Sequence, residues 1–150
     1  MSLQKETTVE TTVGLRPFFE RFQMLNGRAD VEKLIELFAA SVTVAGPAGA
    51  NVITAPQLLG AIAKRKQLFD DAGHRETALV GFEETLLTAR YSLVRTEWQW
   101  EFAPPSGEPT TVRLPSTYLV DRSGDAPHIL VYILHDDVTA VLRQRGLLAS

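Results

Sequence analysis

The sequence predicts an α+β domain: three N-terminal helices packed on a strongly curved, mostly antiparallel sheet that encloses a conical pocket. Three observations predict it. Apolar residues recur at helical spacing up to about Gly73, and a strand-like period takes over from Arg75. The strand-rich half is interrupted by two Pro/Gly-rich stretches, 103–109 and 122–127, both hairpin-sized rather than linker-sized. Within the run 86–102 the apolar parity switches, from odd-numbered Ala89, Tyr91 and Leu93 to even-numbered Val94, Trp98, Trp100 and Phe102. A parity switch in one extended run points to a bulge or bend, which curves a sheet.

The elements follow in order. Leu15, Phe18, Phe19 and Phe22 form a stripe at i, i+3, i+4 and i+7 on a first helix. Pro17 fits near its start, where the missing N–H costs nothing, and Asn26-Gly27 ends it. Asp30 is an N-cap for a second, shorter helix carrying Val31, Leu34, Ile35 and Phe38. Ser41–Ala45 reads as a short strand closed by the turn Gly46-Pro47-Ala48-Gly49. Thr54 and Gln57 make a capping-box pattern for a third helix with Leu58, Leu59, Ile62, Leu68 and Phe69. Strands are then expected over Ala78–Phe82, 86–102, 110–121 and His128–His135, and Asp137 caps a short helix Val138–Arg145. Residues 14–150 form one domain, and 1–13 an N-terminal tail or a separate helical turn.

Composition bounds the function. The chain has 150 residues, 15 basic and 18 acidic, for a net charge of −3. Nucleic acid is not an expected partner, because it demands a basic stripe. No cysteine is present, which excludes disulfides, thiolate nucleophiles and thiolate-held metals. The longest apolar run, Ile129–Leu134, is far too short for a membrane span, and the first residues lack a signal-peptide core. No membrane partner and a cytoplasmic location are the expectations.

Several strings, taken in order, carry a family resemblance: Phe19–Asn26 with Asp30-Val31, Leu37–Val44, the Gly46–Gly49 turn, Trp98-Gln99-Trp100, Ser116–Val120 and Ile129–Asp136. Over roughly residues 15–145 the chain resembles the nuclear transport factor 2-like superfamily, and within it the SnoaL-like and ketosteroid-isomerase-like members. The resemblance implies a cystatin-like roll around a cone-shaped cavity. It also implies where isomerase groups would stand, and this chain replaces them. Gly46 occupies the carboxylate base position, Arg21 or Phe22 that of the phenol, and Ser116 that of the second acid. Steroid isomerisation by that mechanism is therefore not expected. Neither the Asp–Arg–Asp set of limonene-epoxide-hydrolase-like members nor the His pair of scytalone-dehydratase-like members is present.

The same resemblance turns even-numbered strand residues into the cavity. It makes Trp98, Trp100, Ser116, Tyr118, Tyr132 and Asp136 the candidate ligand-binding residues, with no catalytic residue assigned. Each has a plainer reading. The tryptophans can simply fill a core, the phenols can bond backbone carbonyls, and Asp136 with Asp137 can favour a helix start. His74, His128 and His135 stand in unrelated contexts without metal-ligand spacing, His74 and His128 in turns exposed to solvent. Lys64-Arg65-Lys66 reads as a solvated helix face. Neither a cofactor nor a metal is expected.

The expected partner is a small hydrophobic molecule. Its chemistry, if any, is of the non-redox acid/base kind (isomerase, cyclase or lyase); the alternative is a non-catalytic binding or scaffold domain. On the last strand Ile129, Val131 and Ile133 alternate with Leu130, Tyr132 and Leu134, so both faces need cover. A homodimer through the convex sheet face is the simplest cover.

Overall fold

The computed structural model describes residues 14–27, 30–105 and 107–148. The expected tail, 1–13, lies outside the described residues. Among the described residues four helices and six strands follow in the order α1 (Arg16–Gly27), α2 (Val31–Ile35), β1 (Phe38–Gly46), β2 (Gly49–Thr54), α3 (Ala55–Asp71), β3 (His74–Leu86), β4 (Tyr91–Phe102), β5 (Thr110–Asp121), β6 (His128–Leu134) and α4 (Val138–Gln144). The strands form one sheet, ordered β2-β1-β6-β5-β4-β3. Every pairing is antiparallel except β1 with β6.

The caps act where the sequence placed them. Asp30 Oδ1 accepts from the Lys33 N–H, and Asp137 Oδ1 from the Ala140 N–H. Gln57 Oε1 accepts from the Thr54 N–H at 2.9 Å. Gly73, at φ +83°, ends α3 against the Ala103 carbonyl, where an added Cβ would lie only 2.6 Å from its oxygen. Among the described residues no helix is long and apolar enough to cross a membrane.

Several boundaries differ from expectation, and the strand expected over Ala78–Phe82 runs from His74 to Leu86. The second helix is a single turn and Phe38 opens β1 instead, because Phe38 pairs with Ile129. The Gly46–Gly49 turn leads back through an unanticipated strand, β2, whose exposed face gave no apolar pattern to read. The run 86–102 is not one bent strand. Residues 87–90 turn between β3 and β4, and β4 pairs with β5 without interruption.

The bending devices sit in other strands. Arg75 and Val80 are extra residues in β3 opposite an unbroken β4, and Leu130 is extra in β6 opposite β5. Gly81, beside the second bulge, has no room for a side chain: a Cβ would meet that of Glu97 at 2.8 Å. Bulges on both flanks of β4–β5 coil the sheet around the helices. The Leu130 bulge also reverses parity along β6, so odd-numbered Ile129 is fully buried.

The concave face is aromatic. Phe19 of α1 rests on Tyr118 with ring centres 4.8 Å apart, and Phe22 rests on Trp98 at 5.4 Å. Val94, Thr96, Trp98, Trp100 and Phe102 of β4, with Val112, Ser116, Tyr118 and Val120 of β5, are all buried. Leu142 of α4 is fully buried in the same core.

Candidate ligand-binding cavity

A hollow of about 360 Å³ remains between α3 and the ends of the curved sheet. That is the lower end of the range for small-molecule sites. Its apolar walls are Phe22 of α1, Val31 and Leu34 of α2, Phe38 of β1 and Leu58, Ile62 and Phe69 of α3. Its polar wall is Arg65, His74, Thr77 and Tyr132, and Lys66, Asp70, Arg75 and Glu76 also line it.

Helix periodicity explains the α3 wall. Leu58, Ile62, Arg65 and Phe69 are spaced i, i+4, i+7 and i+11, so they share one face. Arg65 therefore does not belong to a solvated basic face, which corrects the reading of Lys64–Lys66 at its central residue. Its guanidinium lies 5.2 Å from the Phe69 ring centre and 5.1 Å from that of Trp100. Its Nη1 donates to the Tyr132 hydroxyl at 2.9 Å. Lys64 and Lys66 are exposed, and Lys66 pairs with Asp70 at 2.7 Å.

His74 is the second correction. It is half-buried rather than solvated. Its ring packs on Phe69 at 5.3 Å and on Phe102 at 5.6 Å, and its Nε2 shares a 2.8 Å hydrogen bond with Thr77 Oγ1. Burial pushes the imidazole pKa below its ordinary value. A hydrogen bond at the Glu76 backbone and the Asp70 charge push it up, while the Arg65 and Lys66 charges add to the fall.

The six candidate residues fall in three places. Tyr132 is on the cavity wall, stacked on Tyr118 at 5.0 Å with the rings nearly parallel. Trp98, Trp100, Ser116 and Tyr118 are buried in the sheet's concave face. Trp98 Nε1 donates to the Tyr118 hydroxyl at 3.0 Å, and burial pushes the Tyr118 phenol well above its ordinary pKa. Trp100 Nε1 is buried without an acceptor among the described residues. Asp136 lies on a second, more open hollow of about 710 Å³, between the Gly46–Gly49 turn, α3 and the start of α4. Arg65 borders both hollows.

Sequence reasoning missed Arg65 and His74. The signal for Arg65 was present, since it stands three residues after Ile62 and four before Phe69. None was present for His74, whose inward turn depends on the bulge at Arg75. Among the described residues no three His, Asp or Glu side chains gather to hold a metal ion.

No protein-family model matches the chain, and no curated protein matches it. Solved structures do. An NTF2-like protein with a cystatin-like fold from Novosphingobium aromaticivorans superposes with a TM-score of 0.71 at 15% identity, covering 99% of this chain and 95% of that one. The beta subunit of benzoate 1,2-dioxygenase from Burkholderia mallei gives 0.66 at 16% identity, covering 85% and 91%. A ketosteroid isomerase-like protein from Erwinia carotovora atroseptica gives 0.60 at 16% identity, covering 76% and 86%. At such identities the likeness is one of architecture, since this fold carries unrelated functions. The chain has the nuclear transport factor 2-like, cystatin-like fold.

Proposed function

We propose that the chain binds a small, flat, largely apolar molecule in the hollow between α3 and the sheet. The observation that carries this reading is the composition of the wall. Seven apolar side chains from α1, α2, β1 and α3 line one side of a space that no protein atom fills, and polar side chains line the other. Empty space lined by apolar groups forfeits dispersion contacts, so an occupant of matching shape gains them. A fluorescence titration with the neutral dye Nile red tests it. Ile62→Trp places a ring in the hollow from a half-exposed position on α3. Wild type is expected to bind the dye and Ile62→Trp to lose at least tenfold in affinity. Equal binding by both proteins would remove the hollow from consideration.

Any reaction there is non-redox acid/base chemistry. His74, neutral near pH 7, supplies a base, and the Tyr132 hydroxyl supplies a proton donor.

A homodimer through the convex sheet face belongs to the same reading. Leu93 is 39% exposed there, and Leu119, Val131 and Ile133 are partly exposed. Sedimentation at micromolar concentration is expected to give twice the chain mass of 16.6 kDa. A monomer alone would contradict it.

A further inference from the structure

We infer that the ligand of this hollow carries a single carboxylate, held between the Arg65 guanidinium and the Tyr132 hydroxyl, with its apolar body against α2 and α3. This inference rests on the binding reading above and names the class of ligand. Arg65 is the reason. A guanidinium keeps its charge at any pH the fold meets, so a half-buried one needs a counter-charge or solvent. Among the described residues no carboxylate lies within ion-pair distance of it. The acids on the same wall are engaged or outside: Asp70 holds Lys66 at 2.7 Å, and Glu76 is exposed.

The contacts that Arg65 does make leave its donors available. The Phe69 and Trp100 rings lie against the guanidinium, whereas its N–H bonds point outward in its plane. One N–H goes to the Tyr132 oxygen. That bond uses the phenol as acceptor, and the Tyr132 hydroxyl proton has no acceptor among the described residues. Arginine and tyrosine thus present donors side by side on one wall. A planar carboxylate has two oxygens to receive them. Of the wall's cations Lys66 and Arg75 are exposed to solvent and Arg65 is not, so one positive charge withdrawn from water matches one negative charge, which favours a carboxylate over a phosphate carrying nearly two. The apolar side of the wall, Leu34, Phe38, Leu58 and Ile62, sets the part of the ligand against it as an apolar ring or short chain.

The test compares two probes of nearly equal shape, 2-naphthoate and its neutral amide, 2-naphthamide, by isothermal titration calorimetry on the full chain. Wild type is expected to prefer the naphthoate by roughly tenfold or more, the scale of a charge-assisted hydrogen bond. Arg65→Met, which keeps the aliphatic stem, is expected to abolish that preference. Tyr132→Phe is expected to lower naphthoate affinity several-fold. Equal wild-type affinities for the two probes would overturn the carboxylate assignment while leaving the hollow as the site. A preference that survives in Arg65→Met would do the same. Failure of both probes to bind would overturn the assignment together with the reading beneath it. The wild-type comparison decides the matter even where Arg65→Met does not fold.

Discussion

Two parts of the concave face differ in what fills them. Over β4 and β5 the cone is solid: Phe19 and Phe22 are driven onto Tyr118 and Trp98, and nearly every even-numbered side chain is buried. Between α3, the start of β3 and the middle of β6, it is hollow. The difference teaches that aromatic bulk on a concave sheet marks where the core is densest. The hollow lies to the side, where side chains of moderate size meet a few polar ones.

The largest expected effect separates the two parts by truncation. Phe19→Ala, at a fully buried position, is expected to cost about 3–5 kcal/mol in urea denaturation. Ile62→Ala, facing empty space on one side, is expected to cost only about 1 kcal/mol, because fewer contacts are lost. Similar costs at both positions would mean that the second region is packed as tightly as the first.

A smaller effect separates the two tryptophans. Trp98→Phe and Trp100→Phe delete the same atoms, but Trp98 Nε1 is hydrogen-bonded and Trp100 Nε1 is not. Trp98→Phe is expected to be the more destabilising by about 1–2 kcal/mol, since it also strips a buried partner from Tyr118. Equal losses would show that the Trp98–Tyr118 bond adds nothing to the floor.

The smallest effect is a pH dependence. Burial first, with Arg65 and Lys66 adding to it, lowers the His74 pKa in the fold; the Glu76 backbone and Asp70 oppose this, and Phe69, Phe102 and Thr77 complete its surroundings. The unfolded chain therefore binds the proton more readily. His74 contributes stability that is full above its unfolded value of 6.5 and is lost as pH falls through the lower folded value. His74→Gln is expected to flatten that part of a melting-temperature profile. An unchanged slope would place the imidazole in solvent.

The fold was legible because its signals are periodic and local. Thr54 with Gln57, Asp30 and Asp137 announce helix starts, and alternation along 110–121 sets β5 residue for residue. The site was legible in part. Parity correctly turned Trp98, Ser116 and Tyr118 inward, yet inward on a bent sheet means core in one place and cavity wall in another. That distinction depends on which helix residues arrive opposite, a long-range matter for Phe22 and Phe69. The bulge at Arg75 likewise left no mark in the composition that could have turned His74 toward Phe69. Arg65 was hidden by its neighbours, since Lys64 and Lys66 make a charged triplet of a residue whose helix position is apolar-facing.

Methyl nuclear magnetic resonance of the chain titrated with 2-naphthamide tests the division most directly, because it reports both regions in one experiment. Shifts are expected at the methyls of Val31, Leu34, Leu58 and Ile62, with those of Val94, Val112 and Val120 unmoved. Shifts centred on Leu134 and Val138, beside the more open hollow, or on the β4–β5 valines, would contradict it.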